Sequence, residues 1–331
     1  MSDLSLTAIR TIFSDSKTSF TEKRVKGSEV VLNKKGNPIF RQGNQCGVTK
    51  IRYSTGEVKA LRLWQNEAAA NRNIYEQFSK YIDQFPAPYL LRSHYLSKAV
   101  YFNGEYFPAL LMDWCDGISL KEYLDRNIND SSSLAKLKGA LFEMFSDMNK
   151  RGISHGDIHH NNIYISDKGT PILIDYDSVF VPSLTGTEDI CLGYSGFQHP
   201  TARGKNKYLS SKTDYFSQLI VILTIECIIQ KPSLWSTYLD EDDTVSLLLK
   251  EKDFLNLKSS IIYSDIKSLK GDVPFLLNVL EQYLQKDSID ELWPYYETIT
   301  PTQTLFCIYC GHKIPESTDK YCTNCGALIN V

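Results

Sequence analysis

The chain has 331 residues, enough for two or three domains. With 42% hydrophobic and 23% charged residues it has the make-up of a globular protein, and a net charge of −3 gives no reason to expect nucleic acid or an anionic membrane as partner of the whole chain. The opening MSDLSLTAIRTIFSDSK is polar every few positions and reads as neither a secretory leader nor an anchor.

From about Val30 to Trp114 the sequence predicts mostly strands. The runs SEVVLN, VTKIRY, VKALRLW and YFPALLMDW are rich in β-branched, aromatic and aliphatic residues, and KKGN, STGE and FNGE supply turns between them. One segment differs: NEAAANRNIYEQFSKYIDQF has the Ala and Glu content of a helix. After Gly117, SLKEYLDRNI, SSLAKLKGALFEMFSDMNKRG, KTDYFSQLIVILTIECII and VPFLLNVLEQYLQK read as helices. The first two begin with serine at the N-cap, and the second ends at Gly152. The longest apolar run, QLIVILTIECII, is too short for a bilayer and contains Glu226, so it reads as a buried core helix. YETITPTQTLF resembles a linker. The expected organisation is a β-rich part with an N-terminal extension (1–113), a helical part (114–297), a linker (298–306) and a small module (307–331).

Eight cysteines are unevenly spread: Cys46, Cys115, Cys191 and Cys227 stand singly, and four fall in the last 25 residues. This is not a secreted disulfide framework, and the chain is expected to be cytoplasmic, with no membrane partner.

The stretch with most chemistry in it is HGDIHHNNIYISDKGTPILIDYD, His155 to Asp177. Asp157 and Asn162 stand on a polar loop before the strand IYI, and Asp175 follows the strand ILI. A hairpin turning at Asp167-Lys168-Gly169 would bring Asn162 and Asp175 together. Carboxylate and amide oxygens are the hard ligands that Mg²⁺ prefers, and Mg²⁺ is usually held by one or two of them plus phosphates. Asp157, beside that metal, would orient and deprotonate an attacking hydroxyl. Phosphoryl transfer needs these parts.

HGDIHHNN resembles the protein-kinase catalytic loop H-x-D-x-x-x-x-N, and DYD stands where such kinases have D-F-G. YFPALLMDWCDGISLKEYL resembles the kinase hinge and the helix after it, and GYSGFQHP the end of an activation segment. KTDYFSQLIVIL resembles the helix whose aspartate, here Asp214, bonds the catalytic-loop backbone. A closer likeness is to the bacterial kinase-like family of the YegI type, on ALRLW, HGDIHHNN, DYDSVFVP and FQHPTAR. Some members of that family are encoded beside a metal-dependent protein phosphatase and a TerY-like von Willebrand protein. The resemblance implies an α+β, bilobal protein-kinase-like fold and ATP with Mg²⁺ as ligands. It implies transfer to serine or threonine of an unidentified protein substrate, with Asp157 as base and Asn162 and Asp175 on the metal.

The same resemblance assigns a nucleotide site, with departures. Arg62 stands where the phosphate-binding lysine of V-A-I-K belongs, and strand alternation would place Ala60 on its face and Lys59 on the other. Arginine keeps the charge but is not a conservative swap. The glycine-rich loop is reduced to Gly43, Gly47 and Val48. Glu76 is the candidate helix partner of Arg62; Glu67 suits the helix start. Met112 would be the gatekeeper, with Asp113 to Cys115 offering backbone groups to adenine, although Trp114 also suits a core. Asp177 replaces the usual glycine. His155 reads as a packed histidine shaping the loop and His160 as a surface residue. His159 either touches the γ-phosphate, as in aminoglycoside- and choline-kinase-like enzymes, or is a plain loop histidine. The departures leave a pseudokinase, and more weakly a small-molecule kinase, as alternatives.

CIYCGHKIPESTDKYCTNCGA contains two C-x-x-C knuckles, Cys307 with Cys310 and Cys322 with Cys325, each followed by glycine. This is zinc-ribbon spacing. Four thiolates close a tetrahedral Zn²⁺ site, which is structural and folds a module too small to fold alone. What the ribbon binds is open.

Overall fold

The structure, a computed structural model, describes residues 3–42, 46–66, 69–239 and 245–297, and the backbone of 305–306 and 313–314. The chain divides into two compact units, Met1–Leu292 and Trp293–Val331.

The larger unit opens with two helices, α1 (Leu6–Ser14) and α2 (Ser16–Ser19). Ser5 caps α1 by accepting the Ala8 N–H at 3.1 Å. Strands β1 (Glu29–Val30), β2 (Phe40–Gln42), β3 (Cys46–Arg52) and β4 (Val58–Trp64) follow, then helix α3 (Ala69–Gln84) and strands β5 (Ser93–Phe102) and β6 (Glu105–Asp113). They form one antiparallel sheet in the order β1-β3-β4-β6-β5, with β2 also on β3. Strand β5 has no counterpart in the sequence reading. In β4, five consecutive residues are buried because both sheet faces are covered. On one face Ile9, Ile12 and Phe13 of α1 pack with Ile51, Leu61, Leu63 and Leu111. On the other stand α3 and the groups described below.

The helical part begins with β7 (Gly117–Ser119), α4 (Leu120–Asn127) and α5 (Ser131–Arg151). Ser119 caps α4, as its type predicts. The cap of α5 is Asp130, not a serine: its carboxylate accepts the Ser133 N–H at 3.0 Å. Gly152, at φ +65°, ends α5 in the left-handed conformation that glycine tolerates best. The hairpin β8 (Ile163–Ser166) and β9 (Pro171–Leu173) joins β7 in a three-stranded sheet. Helices α6 (Tyr215–Gln230), α7 (Ser233–Tyr238), α8 (Glu251–Leu255), α9 (Ile261–Ile266) and α10 (Val273–Tyr283) complete the unit. Apolar all round, α6 is buried almost throughout, between α5 and α10. Its Glu226 is matched by Lys138 at 2.6 Å. Among the described residues no helix is long and apolar enough to cross a membrane.

The smaller unit contains a two-stranded hairpin, β10 (Leu305–Phe306) with β11 (Lys313–Ile314), in the register Leu305↔Ile314. Cys307 and Cys310 fall between these strands in sequence. Like Cys322 and Cys325, they lie outside the described residues, as do Gly43 and Glu67.

Candidate active site

The loop before β8 is held from below by Asp214. Its two carboxylate oxygens accept the N–H groups of His155 at 2.5 Å and Gly156 at 2.9 Å. Gly156 has φ +83°, and a Cβ there would stand 2.1 Å from the Ser178 carbonyl oxygen, so only glycine fits. His155 is buried and pairs through Nε2 with the Ile174 carbonyl at 2.8 Å, which ties the loop to the end of β9. Burial holds its pKa below the ordinary imidazole value, so it is a neutral hydrogen-bonding group.

Asp157 projects from this frame. The Asn162 amide donates to its backbone carbonyl at 3.0 Å and to its Oδ2 at 3.2 Å. His159 Nε2 lies 3.4 Å from the same oxygen, and its ring stacks on Tyr194 at 4.2 Å. The other oxygen, Oδ1, is buried without a hydrogen-bond partner. Burial pushes this carboxyl up, but His159, and then His155 and Arg203, outweigh it and hold it below the usual aspartate value. The result is an ionised carboxylate with one oxygen fixed and one uncommitted, suited to receiving a hydroxyl proton. His160 is not a surface residue: it is 1% exposed and packs on Phe197, because the polar run folds under the segment after β9.

The β8–β9 hairpin turns at residues 167–170, and the Ile174 N–H donates to the Asn162 carbonyl at 3.0 Å, so the two ends of the hairpin meet. Asp175 then adopts φ +66°; Asn103 is the only other non-glycine residue with positive φ among those described. Such conformations recur at functional sites, where surrounding structure enforces them.

Arg62, on β4, is buried beneath. Its Nη1 donates to Asp175 Oδ1 at 2.6 Å and its Nη2 to Asp177 Oδ2 at 2.6 Å. The Tyr75 hydroxyl, from α3, accepts from Arg62 Nη1 at 3.1 Å and donates to Asp177 Oδ1 at 2.7 Å. Burial works against the Arg62 charge, but Asp175, Tyr75 and Asp177 outweigh it and raise its pKa well above the ordinary value. Burial and the Asp175 charge lift the Asp177 carboxyl, against the pull of Arg62. Glu76 is not the partner of Arg62. Its carboxylate pairs with Arg72 at 2.9 Å on the exposed side of α3, because one residue along a helix is about 100° around it.

A cavity of 180 Å³ opens above these groups. Val48, Ala60, Arg62, Met112, Asp113, Cys115 and Asp175 line it. Lys59 turns away to Asp113 and Glu57. Gly47 does not line it: strand alternation sends Cys46 and Val48 to the cavity and Gly47 to the far face, where a Cβ would meet Phe40 at 2.6 Å and Ile9 at 2.8 Å. Arg41, Leu91, Tyr164 and Ile174 also line it, with no cue in the local sequence. Arg41 reaches from β2 to β8, donating to the Tyr164 hydroxyl at 3.1 Å and lying over the Trp114 ring at 5.2 Å. A larger cavity, 720 Å³, lies between α5 and the β8–β9 turn and is lined by none of the candidate catalytic or nucleotide-binding residues.

Asn162 uses its amide nitrogen on Asp157, which leaves its carbonyl oxygen, and Asp175 has its second oxygen, as hard donors for a Mg²⁺ ion. No group of three His, Cys, Asp or Glu side chains among the described residues could hold a metal alone, so a cation here would complete its shell with waters and phosphate oxygens. The donor set fits Mg²⁺ on those terms. The segment after Asp177 is tied down by a buried ion pair, Arg203 with Asp189 at 2.7 Å.

Residues 64–180 match the ABC1 atypical kinase-like domain. The match spans α3 through the β8–β9 hairpin, and so Tyr75, Asp157, Asn162, Asp175 and Asp177; Arg62 lies two residues before it. No curated protein matches the chain. This part of the chain is therefore similar to a kinase-like domain, in which phosphoryl transfer or nucleotide binding is the chemistry to consider.

Proposed function

We propose that the chain is an ATP- and Mg²⁺-dependent phosphotransferase that phosphorylates a serine or threonine hydroxyl of a protein. The observation that carries this reading is Asp157: a carboxylate with one oxygen held by Asn162 and the other buried and unpartnered, on a loop that Asn162 ties through the Ile174 N–H to the residue before Asp175, which lines the cavity. Ala60, Met112 and the backbone of Asp113 to Cys115 are assigned to the adenine, and Arg62 to the phosphates. Asn162 and Asp175 would hold Mg²⁺, whose contribution when bound is to neutralise charge on the transferring phosphoryl group. Asp157 accepts the proton of the acceptor hydroxyl as its oxygen bonds to the γ-phosphorus and ADP departs. The four motif matches favour the YegI type, with a protein phosphatase and a TerY-like protein as partners by resemblance. Cys307, Cys310, Cys322 and Cys325 are assigned to a structural Zn²⁺.

One observation favours a second reading, a pseudokinase that binds nucleotide without turnover. Asp175 is engaged by Arg62 at 2.6 Å, so a cation has to compete for it.

Single substitutions test the assignment. Asp157→Asn should leave Mg²⁺-ATP affinity nearly unchanged, while labelled-phosphate transfer falls by roughly two to four orders of magnitude, the usual worth of a positioned base. Asp175→Asn should weaken Mg²⁺-dependent binding as well, because a metal ligand also acts in the ground-state complex. A wild type that binds Mg²⁺-ATP but transfers to nothing would favour the pseudokinase. A wild type that binds no nucleotide would sink the site assignment.

A further inference from the structure

We infer that Asp177 is the positioning residue for Arg62, and that Tyr75 is the means by which α3 sets that position. This deepens the reading above and rests on its assignment of Arg62 to phosphate.

A guanidinium cannot shed its charge, and burying it unpaired is costly, so Arg62 must have an anchor. Two carboxylates are in reach, and they are not equivalent. Asp175 uses one oxygen on Arg62 and is the residue that a Mg²⁺ ion would draw on. Asp177 has both oxygens committed, Oδ2 to Arg62 and Oδ1 to the Tyr75 hydroxyl. That hydroxyl also accepts from Arg62, so arginine, aspartate and tyrosine close a ring of three hydrogen bonds. The tyrosine is itself fixed: it is fully buried and its ring stands 5.8 Å from that of Trp64. When Asp175 turns to a cation, Asp177 is the carboxylate that still holds Arg62. Helix α3 is not seen to offer Arg62 a carboxylate, since Glu76 is engaged by Arg72. Any shift of α3 therefore reaches the phosphate-binding arginine through a neutral hydroxyl.

The sign of the effect distinguishes this role from simple electrostatics. Asp177→Asn removes a negative charge from an anion-binding site, and charge alone would tighten ATP binding. Positioning predicts the reverse. In calorimetry on the full chain with Mg²⁺ and ATP, Asp177→Asn should weaken affinity about tenfold or more, and Tyr75→Phe about threefold to tenfold, as expected for charged and neutral hydrogen bonds. Adding Asp177→Asn to Arg62→Met should cost nothing further, because the residue acts through the arginine. Unchanged or tighter binding by Asp177→Asn overturns the inference, and so does an equal loss in the Arg62→Met background, which would mean that Asp177 acts on the cation or the fold directly. If Asp177→Asn does not fold, Tyr75→Phe decides: wild-type affinity in that variant overturns the role of α3 and with it the inference. A wild type that binds no ATP overturns the functional reading first, so the two failures are told apart.

Discussion

Replacing Gly156 by alanine tests how the loop carrying Asp157 is built. The backbone has φ +83°, which costs an L-residue roughly 1–2 kcal/mol. The new Cβ would also stand 2.1 Å from the Ser178 oxygen and 2.7 Å from the Ser178 Cβ. Ordinary contact begins near about 3.5 Å, so one backbone must move by more than about 1 Å. Motion of the loop breaks the Asp214 bonds to His155 and Gly156; motion of the Ser178 segment breaks the Ser154–Phe180 pair. Losing one or two such bonds costs roughly 1–3 kcal/mol each. The expected destabilisation is therefore about 2–8 kcal/mol, read from urea unfolding. An internal control is available in Gly139, which lies inside α5 with open space around its Cβ position. Gly139→Ala should stabilise by about 0.5–1 kcal/mol. A loss below about 1 kcal/mol for Gly156→Ala, or one no different in sign from Gly139→Ala, refutes the reasoning.

Three further outcomes are expected. Because His159 holds the Asp157 carboxyl below the usual aspartate value, the acid limb of kcat/KM should lie below the pH at which an ordinary aspartate titrates, with activity lost as pH falls through it. His159→Phe, which removes the leading influence holding that carboxyl down, should move the limb upward; a limb that does not move contradicts the account. Many kinases pair an arginine before the catalytic aspartate with an activation-loop phosphate, but here Gly156 holds that place and the buried Asp189–Arg203 pair orders the segment. Activity should therefore not require phosphorylation of Ser183, Thr185 or Thr187, and mass spectrometry of active protein showing an obligatory phosphate there would contradict this. Metal analysis should find about one zinc per chain, and a chain truncated at Leu305 should lose it while its larger unit still melts cooperatively; retention of the metal would move the site elsewhere.

What could be read in advance was local. The hairpin between Ile163 and Leu173 is legible because its turn residues and apolar runs are adjacent in sequence, and the spacing of Asp157, Asn162 and Asp175 follows from it. The core character of α6 is legible from composition. What escaped depends on partners distant in the chain. Tyr75 and Glu76 are both plausible mid-helix residues, and only the direction of approach of β4 decides which meets Arg62. His160 looks like part of a polar run until Phe197 is brought over it. Gly47 looks like a phosphate-loop glycine until Phe40 and Ile9 occupy its far side. Helix α1 carried a readable sign, since Ser5 precedes apolar residues at Leu6, Ile9, Ile12 and Phe13 in helical spacing.

That helix has a practical consequence for anyone handling the protein. Trimming the chain to its motif-bearing stretch, from about residue 30 onward, would strip Ile9, Ile12, Phe13 and Phe20 from the sheet and leave Ile51, Leu61, Leu63 and Leu111 facing water. An apolar sheet face of that kind invites self-association. Recombinant versions begun at the kinase-like boundary should therefore precipitate or be recovered as aggregates by size-exclusion chromatography, while those that keep residues 3–20 stay dispersed. An affinity tag would be placed more safely on a flexible spacer ahead of Ser5 than fused directly to the helix, where it would compete with the cap.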